Sequence, residues 1–297
     1  MSIFRYANPS GNWFKGNTHL HTPASDGGTS VEEMERMYSG AGYDFLFRAD
    51  HWVLSDVGGE QRESPLLWLD GVELDGRDHT GAYYHVVCLG KFEGLSREMG
   101  FVAALEAVRA QGGMLILAHP NWTGNSLDDA FRHGFHGVEV YNHVCQWLNG
   151  KGDGLLFWDA MLQRAPATLG FAVDDAHLRP QHPGWNGGWI MVDASDCTAP
   201  ALMSAIRDGR YYSSCGPEFH KIEVHDRTVS IHTSSVQFVR LVGPGSRGAR
   251  IGSFGDERIT EGELEIPEGF PYVRVEVEDE RGKRAWTNPL FVDDAEA

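Results

Sequence analysis

Asn17-Thr18-His19-Leu20-His21-Thr22-Pro23-Ala24-Ser25-Asp26 is the stretch that the rest of this 297-residue chain is arranged to complete. It follows the apolar pair Trp13 and Phe14 and precedes a helix start at Ser30, so a first strand runs here into a loop. Side chains i and i+2 of a strand emerge on one face. His19 and His21 therefore present two imidazoles to one point, a common way to hold a divalent metal, with Asp26 following on the loop.

Outward from that point, short apolar runs alternate with amphipathic stretches to about residue 213, the rhythm of βα units. Ser30 with Glu33 forms a capping-box pattern that opens a helix to about Ser39, and Gly40 and Gly42 end it. Tyr43 to Ala49 is a buried strand leading into Asp50-His51, and Gly71 to Asp75 and His85 to Leu89 are two more. A helix with Phe101, Leu105 and Val108 on one face precedes the strand Met114 to Leu117, which ends at His119. Gly137 to Tyr141 and Leu169 to Val173 repeat the theme, the second ending at Asp174-Asp175-Ala176-His177. A last helix, Ala199 to Asp208, closes this part. Between Pro217 and Phe291 the period changes to two: Val273, Val275 and Val277 alternate with charged residues, as do Leu264 and Ile266. Such strands with Gly/Pro turns predict a small antiparallel β-sandwich, followed by a short acidic tail after Val292.

Bulk composition bounds the function. Formal net charge is −17, which argues against a surface built to bind duplex nucleic acid. Cys88, Cys145, Cys197 and Cys215 show no Cys-x-x-Cys spacing and are expected as free thiols in a reducing compartment. No charged-then-apolar leader and no membrane-length apolar run are seen, so the expected location is the cytoplasm.

His19, His21, His51, Glu73, His119, Asp175 and His177 all stand where predicted strands end, the face on which βα barrels place their chemistry. In this order the chain resembles the polymerase-and-histidinol-phosphatase (PHP) family of metal-dependent hydrolases. The resemblance rests on His-x-His at His19 and His21, Ser-Asp-Gly at Asp26, Asp-His at His51, Glu73, a following His85, Ala-His-Pro at His119, and Asp-x-His at Asp175 and His177. It covers residues 13 to 213 and implies an α/β fold, a distorted (βα)7 barrel at residues 1–214 carrying a β-sandwich at 215–297. It also implies two or three divalent ions: one among His19, His21, Glu73 and Asp175, a second among Glu73, His85 and His119 with Glu73 bridging, and a third among Asp26, His51 and His177. The chain departs from the family at Arg48-Ala49-Asp50-His51, where Thr usually precedes Asp-His, and at Val173-Asp174-Asp175, where Gly-Ser-Asp is usual. Its Asp208 to Pro217 stretch and β-domain resemble a subgroup that includes carbamate-ester hydrolases.

Nitrogen and oxygen donors without cysteine suit zinc, manganese or iron(II). Three carboxylates against four or six positive charges leave a cationic site that draws a small anionic substrate. The expected chemistry is attack by metal-bound hydroxide on a phosphate ester of a small metabolite or nucleotide, in an enzyme of the phosphoesterase class. The alternatives are hydrolysis of a carboxylic or carbamate ester at the same metals, and a binding protein with structural metals. Beyond the metals, Arg48 is a candidate for a phosphate oxygen, and His143 or His182 for the proton of the leaving group. Trp122, Trp185 and Trp189 are candidate pocket walls, and Glu139 a candidate partner of a ligand histidine.

Overall fold

A computed structural model of the chain describes residues 5, 6, 9–58, 63–255 and 257–290; the acidic tail after Val292 lies outside the described residues. The strands of the amino-terminal part are β1 (Trp13–Asn17), β2 (Phe45–Arg48), β3 (Leu67–Arg77), β4 (Tyr83–Leu89), β5 (Met114–Leu117), β6 (Gly137–Asn142) and β7 (Leu169–Val173), and they lie side by side in sequence order. β1, β2 and β3 run parallel, as do β5, β6 and β7. β4 is reversed and pairs antiparallel with both neighbours, so β3 and β4 form a hairpin where strict βα alternation would place a helix. Among the described residues no ladder joins β7 to β1. Their extensions meet instead at a single parallel bridge, Leu20 with Ala176, flanked by the His21 N–H on the Ala176 carbonyl and the Asp175 N–H on the His19 carbonyl.

Strand alternation sorts the two faces. Phe45, Phe47 and Ala49 of β2, Leu69 of β3, Val87 and Leu89 of β4, and Ile116, Phe171 and Val173 of β5 and β7 share one interior core. The helix α7 (Ala199–Arg207) adds Leu202, Ala205 and Ile206 to it. The other face packs on helices: Val86, Leu117 and Val138 meet Phe101, Leu105 and Val108 of α2 (Phe101–Ala110) and Trp158 and Met161 of α6 (Leu155–Arg164). The helix α1 (Val31–Gly40) covers Leu46 with Met34 and Tyr38. Ser30 caps it by accepting the Glu33 N–H, but the reciprocal half of the expected capping box is missing because the Glu33 carboxylate takes Arg36. α3 (Pro120–Thr123), α4 (Leu127–Arg132) and α5 (His143–Asn149) are short and complete the helical set.

After β7 the chain returns through β8 (Trp189–Asp193), antiparallel to β1, and β9 (Tyr211–Ser214), antiparallel to β8. The carboxy-terminal strands form two layers. β12 (Phe238–Val242), β13 (Gly248–Gly252), β15 (Arg274–Glu278) and β16 (Arg284–Thr287) make one layer, and β10 (Phe219–His225), β11 (Thr228–Val236) and β14 (Ile259–Glu265) the other. Val229, Ile231, Val239, Leu241, Val275 and Val277 fill the space between them. The first layer is continuous with the amino-terminal sheet, since β16 pairs with β9 through Ala285, Trp286 and Thr287 opposite Ser214, Ser213 and Tyr212. One 13-stranded sheet thus runs through both halves. Among the described residues no helix is long and apolar enough to cross a membrane.

Candidate metal centre

The inward alternation of the strands carries the donors. Counting by twos from the interior residues Phe47, Leu69, Val87 and Phe171 reaches His51, Glu73, His85 and Asp175. His85 joins from the start of β4 rather than from a strand end because β4 is reversed, with Asp75 opposite His85 across the hairpin. β1 needs a correction of register: Phe14 and Gly16 face inward, so unbroken alternation would turn His19 and His21 out. The strand ends at Asn17, whose Oδ1 accepts the His19 N–H at 3.1 Å and whose Nδ2 donates to the Gly188 carbonyl at 3.0 Å. This side-chain turn at Thr18 rotates both histidines into the interior.

Two donors are held by strained backbone. His119 (φ 27°) and Asp175 (φ 56°) adopt the left-handed region without being glycine, and Trp52 and Leu178, beside His51 and His177, do the same. Each such residue costs on the order of 1–3 kcal/mol, and such strain collects where side chains must be aimed.

The donors converge. His19 Nε2 lies 3.2 Å from His21 Nε2, 3.2 Å from Asp175 Oδ1 and 3.3 Å from Glu73 Oε2. His21 Nε2 lies 3.1 Å from Asp175 Oδ1 and 3.3 Å from Glu73 Oε2. Glu73 also reaches His51 Nδ1 at 3.2 Å, His85 Nδ1 at 2.7 Å and His119 Nε2 at 3.5 Å, so it stands between the sets. Beyond His21, Asp26, His51 and His177 form a further group, with His177 Nε2 3.3 Å from Asp26 Oδ2 and His21 Nδ1 3.5 Å from Asp26 Oδ1. All nine donors expected from the sequence stand in these groups.

The arrangement fits divalent ions. Ligands held at roughly 2.0–2.2 Å from one ion stand about 3 Å apart, as the first set does. His19, His21 and Glu73 are almost wholly buried, and burial of so many lone pairs facing one another is costly without a cation between them. Among the described residues, His21 Nδ1 and His51 Nδ1 are buried and face carboxylates without a hydrogen bond of good geometry. Elsewhere the ring nitrogen away from the cluster is tied down: His19 Nδ1 to Glu139 Oε1 at 2.6 Å, His119 Nδ1 to Thr123 Oγ1 at 3.0 Å, and His177 Nδ1 to the Asp175 carbonyl at 2.8 Å. Such bonds fix the tautomer that leaves Nε2 free as a ligand.

Charge follows the geometry. Burial opposes the Glu73 and Asp175 carboxylates, but the surrounding imidazoles outweigh it and hold both well below the usual range. Burial likewise opposes the His51 cation, yet Asp75 and Glu73 lift its pKa to about 9. Asp75 was not among the expected donors. It lies 3.4 Å from His51 Nδ1 and receives both Nη atoms of Arg97, at 2.8 and 3.1 Å. As the second residue after Glu73 on the same strand it was open to the same period-two count. Tyr83, two before His85, was equally accessible; its hydroxyl is 3.2 Å from His85 Nε2. Asn142, which donates to Glu139 Oε2 at 2.9 Å and Asp175 Oδ2 at 3.2 Å, carries no such signal.

The three remaining polar candidates fall in different places. Arg48 alternates with Phe47 and Ala49 and so faces outward beside Leu46, its guanidinium carbon 5.8 Å from the centre of the Trp68 ring. His143 opens α5 with Nδ1 3.1 Å from the Tyr141 hydroxyl and its ring against Gly187. His182 stands beside the cluster, its ring 5.8 Å from that of His177 and 6.2 Å from that of Trp147, and its Nδ1 is buried without a partner. Of the tryptophans, Trp122 walls the donors, its ring 5.1 Å from His119 and 6.0 Å from His85. Trp185 and Trp189 pack with Tyr38 and Leu46 under α1 instead.

No family model matches the chain, and no curated protein matches it. Among solved structures it is similar to a two-domain protein from Bacteroides vulgatus containing a predicted PHP-like metal-dependent phosphoesterase, with a TM-score of 0.53 and 15% identity over 97% of this chain and 98% of that one. The chain has the PHP fold. In the PHP fold of this chain the accessory β-layers are included in the superposition, since nearly the whole of both chains is covered. The chain is also similar to an amidohydrolase from Chromobacterium violaceum, with a TM-score of 0.39 and 15% identity over 66% of this chain and 96% of that one.

Proposed function

We propose that the chain is a metal-dependent hydrolase of phosphate esters, acting on a small phosphorylated metabolite or nucleotide. The observation that carries the reading is that His19 Nε2 and His21 Nε2, 3.2 Å apart, each lie 3.1–3.3 Å from both Glu73 Oε2 and Asp175 Oδ1 and are buried. When bound, two or three divalent ions supply Lewis acidity and an acidified water. His19, His21, Glu73, His85, His119 and Asp175 would hold the inner ions, and Asp26, His51 and His177 a third.

Charge balance supports an anionic substrate. Asp75 and Glu139 raise the local carboxylates from the three expected to five, which two ions do not neutralise and three exceed by one charge. Arg97 and Arg179 then tip the rim: Arg97 pairs with Asp75, and Arg179 Nη2 lies 3.4 Å from Asp26 Oδ2. Both guanidinium groups have exposed portions from which a phosphoryl oxygen can be received in fork geometry. His182 shares a tight turn with Arg179, the two exchanging backbone hydrogen bonds at 2.9 and 3.2 Å. We assign to His182 the proton delivered to the leaving oxygen, in preference to His143 or Arg48, because its ring adjoins His177 and its Nδ1 is not committed.

Trp122 beside His119 and Trp147 beside His182, both with exposed rings, favour a second reading in which an apolar carboxylic or carbamate ester is cleaved at the same ions. The test is the rate of the manganese- or zinc-loaded protein on p-nitrophenyl phosphate against p-nitrophenyl acetate. A phosphate preference abolished by chelation supports the first reading, an acetate preference the second, and no turnover of either or of a broad ester panel defeats both. His182→Ala is expected to lower kcat by roughly 10²–10⁴ with metal content unchanged; an unaltered kcat removes it.

A further inference from the structure

At the end of the strands opposite the metal donors, the starts of β5, β6 and β7 and the end of α7 surround a cavity of about 670 Å³. Its volume is in the range of roughly 300–1,000 Å³ typical of small-molecule sites. Met114, Phe135 and Leu169 supply an apolar floor, and Arg5, Arg207, Arg210 and His136 stand in the same walls, with Arg5 Nε donating to the Asp208 carbonyl at 2.8 Å. In a chain with a net charge of −17 this concentration of cationic groups requires an explanation.

The partners of these groups leave positive charge over. The Arg207 guanidinium donates to the Gly112 carbonyl at 2.6 Å and, among the described residues, meets no carboxylate. Arg210 has only long contacts, to Asp208 Oδ2 at 3.4 Å and the Asp193 carbonyl at 3.5 Å. Asp208 is the one acidic residue among the lining residues, so Arg5, Arg207 and Arg210 together exceed it by two charges. His136 Nδ1 accepts the Leu115 N–H at 3.0 Å, which puts the ring proton on Nε2 as a donor. Burial, followed by Arg109 and Arg207, keeps the His136 pKa below its usual value, so the local field is cationic without it.

We infer that this cavity is a second binding site, separate from the metal centre, for a small amphipathic anion: an apolar body against Met114, Phe135 and Leu169, and an acidic head group on Arg207 and Arg210. The charge excess selects the head group and the floor selects the body. A neutral molecule of the same shape leaves the guanidinium groups unpaired with an anion and binds more weakly.

The full-length protein tests this with two fluorescent probes of shared apolar skeleton, 8-anilino-1-naphthalenesulfonate and the neutral N-phenyl-1-naphthylamine. The anion is expected to bind with one-to-one stoichiometry and at least tenfold more tightly than the neutral probe. Arg207→Gln/Arg210→Gln is expected to abolish that preference. Ala167→Trp, which fills the cavity from an exposed loop position, is expected to abolish binding of both while the circular dichroism spectrum is kept. His119→Ala, in the metal centre, is expected to change neither. Equal affinity for the two probes, an unchanged preference in the double variant, binding that survives Ala167→Trp, or binding lost with His119→Ala would each overturn the inference.

Discussion

Glu139 accepts His19 Nδ1 on one carboxylate oxygen and both the His119 backbone N–H, at 2.8 Å, and Asn142 Nδ2 on the other. An amide there has one acceptor atom and one donor atom, so in either orientation Glu139→Gln sets a buried N–H against another. The substitution is expected to lower metal affinity by roughly 10–100-fold, the usual effect of losing a partner behind a ligand histidine. A chelator-competition titration checks it, and an unchanged affinity would reduce Glu139 to a packing residue. The same accounting separates the residues that sequence reading reached from those it did not. Glu139, His51, Glu73 and Asp175 were legible because each repeats the inward period of its strand, whereas His19 and His21 are brought inward by the turn at Asn17 and His85 was reached through the family resemblance. Asp75 and Tyr83 obey the same period and were missed because what they touch lies off that count: Asp75 meets His51 and Arg97, and the Tyr83 hydroxyl meets Asp75 across the hairpin. Arg48 was misplaced by ignoring that period: its even step from Leu46 puts it outside.

At the scale of elements, the loop after β1 is held by close approach. A Cβ on Gly27 would stand 2.2 Å from the His21 carbonyl oxygen, a contact that backbone cannot relieve cheaply. Gly27→Ala is therefore expected to displace Asp26 from His21 and His177, reducing bound metal by one equivalent in elemental analysis while the others remain. The β3–β4 hairpin depends on a different group. Asp78, between the two strands, accepts from Thr80 and Arg132 and meets Tyr84 and His133, tying the hairpin to α4. Desolvation opposes its charge, but these bonds outweigh it and hold its carboxyl below the usual range. A depressed folded pKa contributes stability that is present above the ordinary carboxylate pKa and lost as pH falls through the folded one. Asp78→Asn is expected to lower the melting temperature at neutral pH and to flatten its fall between neutral and acid pH. Parallel melting curves of the two proteins on acidification would contradict this.

For the whole molecule, ions that bind only the folded chain stabilise it by mass action, about 2.7 kcal/mol at 100 times the Kd. Chelation is accordingly expected to lower the melting temperature by several degrees, and restored manganese or zinc to return it. The two halves are coupled through the shared sheet. We propose that the division near residue 214 separates roles and not folding units: cutting there would strip β16 from β9 and uncover Tyr212, Trp13 and Met191, which pack against the carboxy-terminal core. A fragment of residues 1–214 is expected to be insoluble or to melt well below the full chain, as differential scanning calorimetry would show; an independent transition at the same temperature would refute the coupling. Sequence by itself determined the donors, the strands that carry them and the two-layer carboxy-terminal half, because strand alternation and turn chemistry are local consequences of backbone stereochemistry. Only the tertiary structure decided that β4 reverses, that the histidine meeting Glu139 is His19, 120 residues away, and that one sheet joins both halves. Those outcomes depend on which distant segments pack together, and no local pattern along the chain encodes a through-space distance.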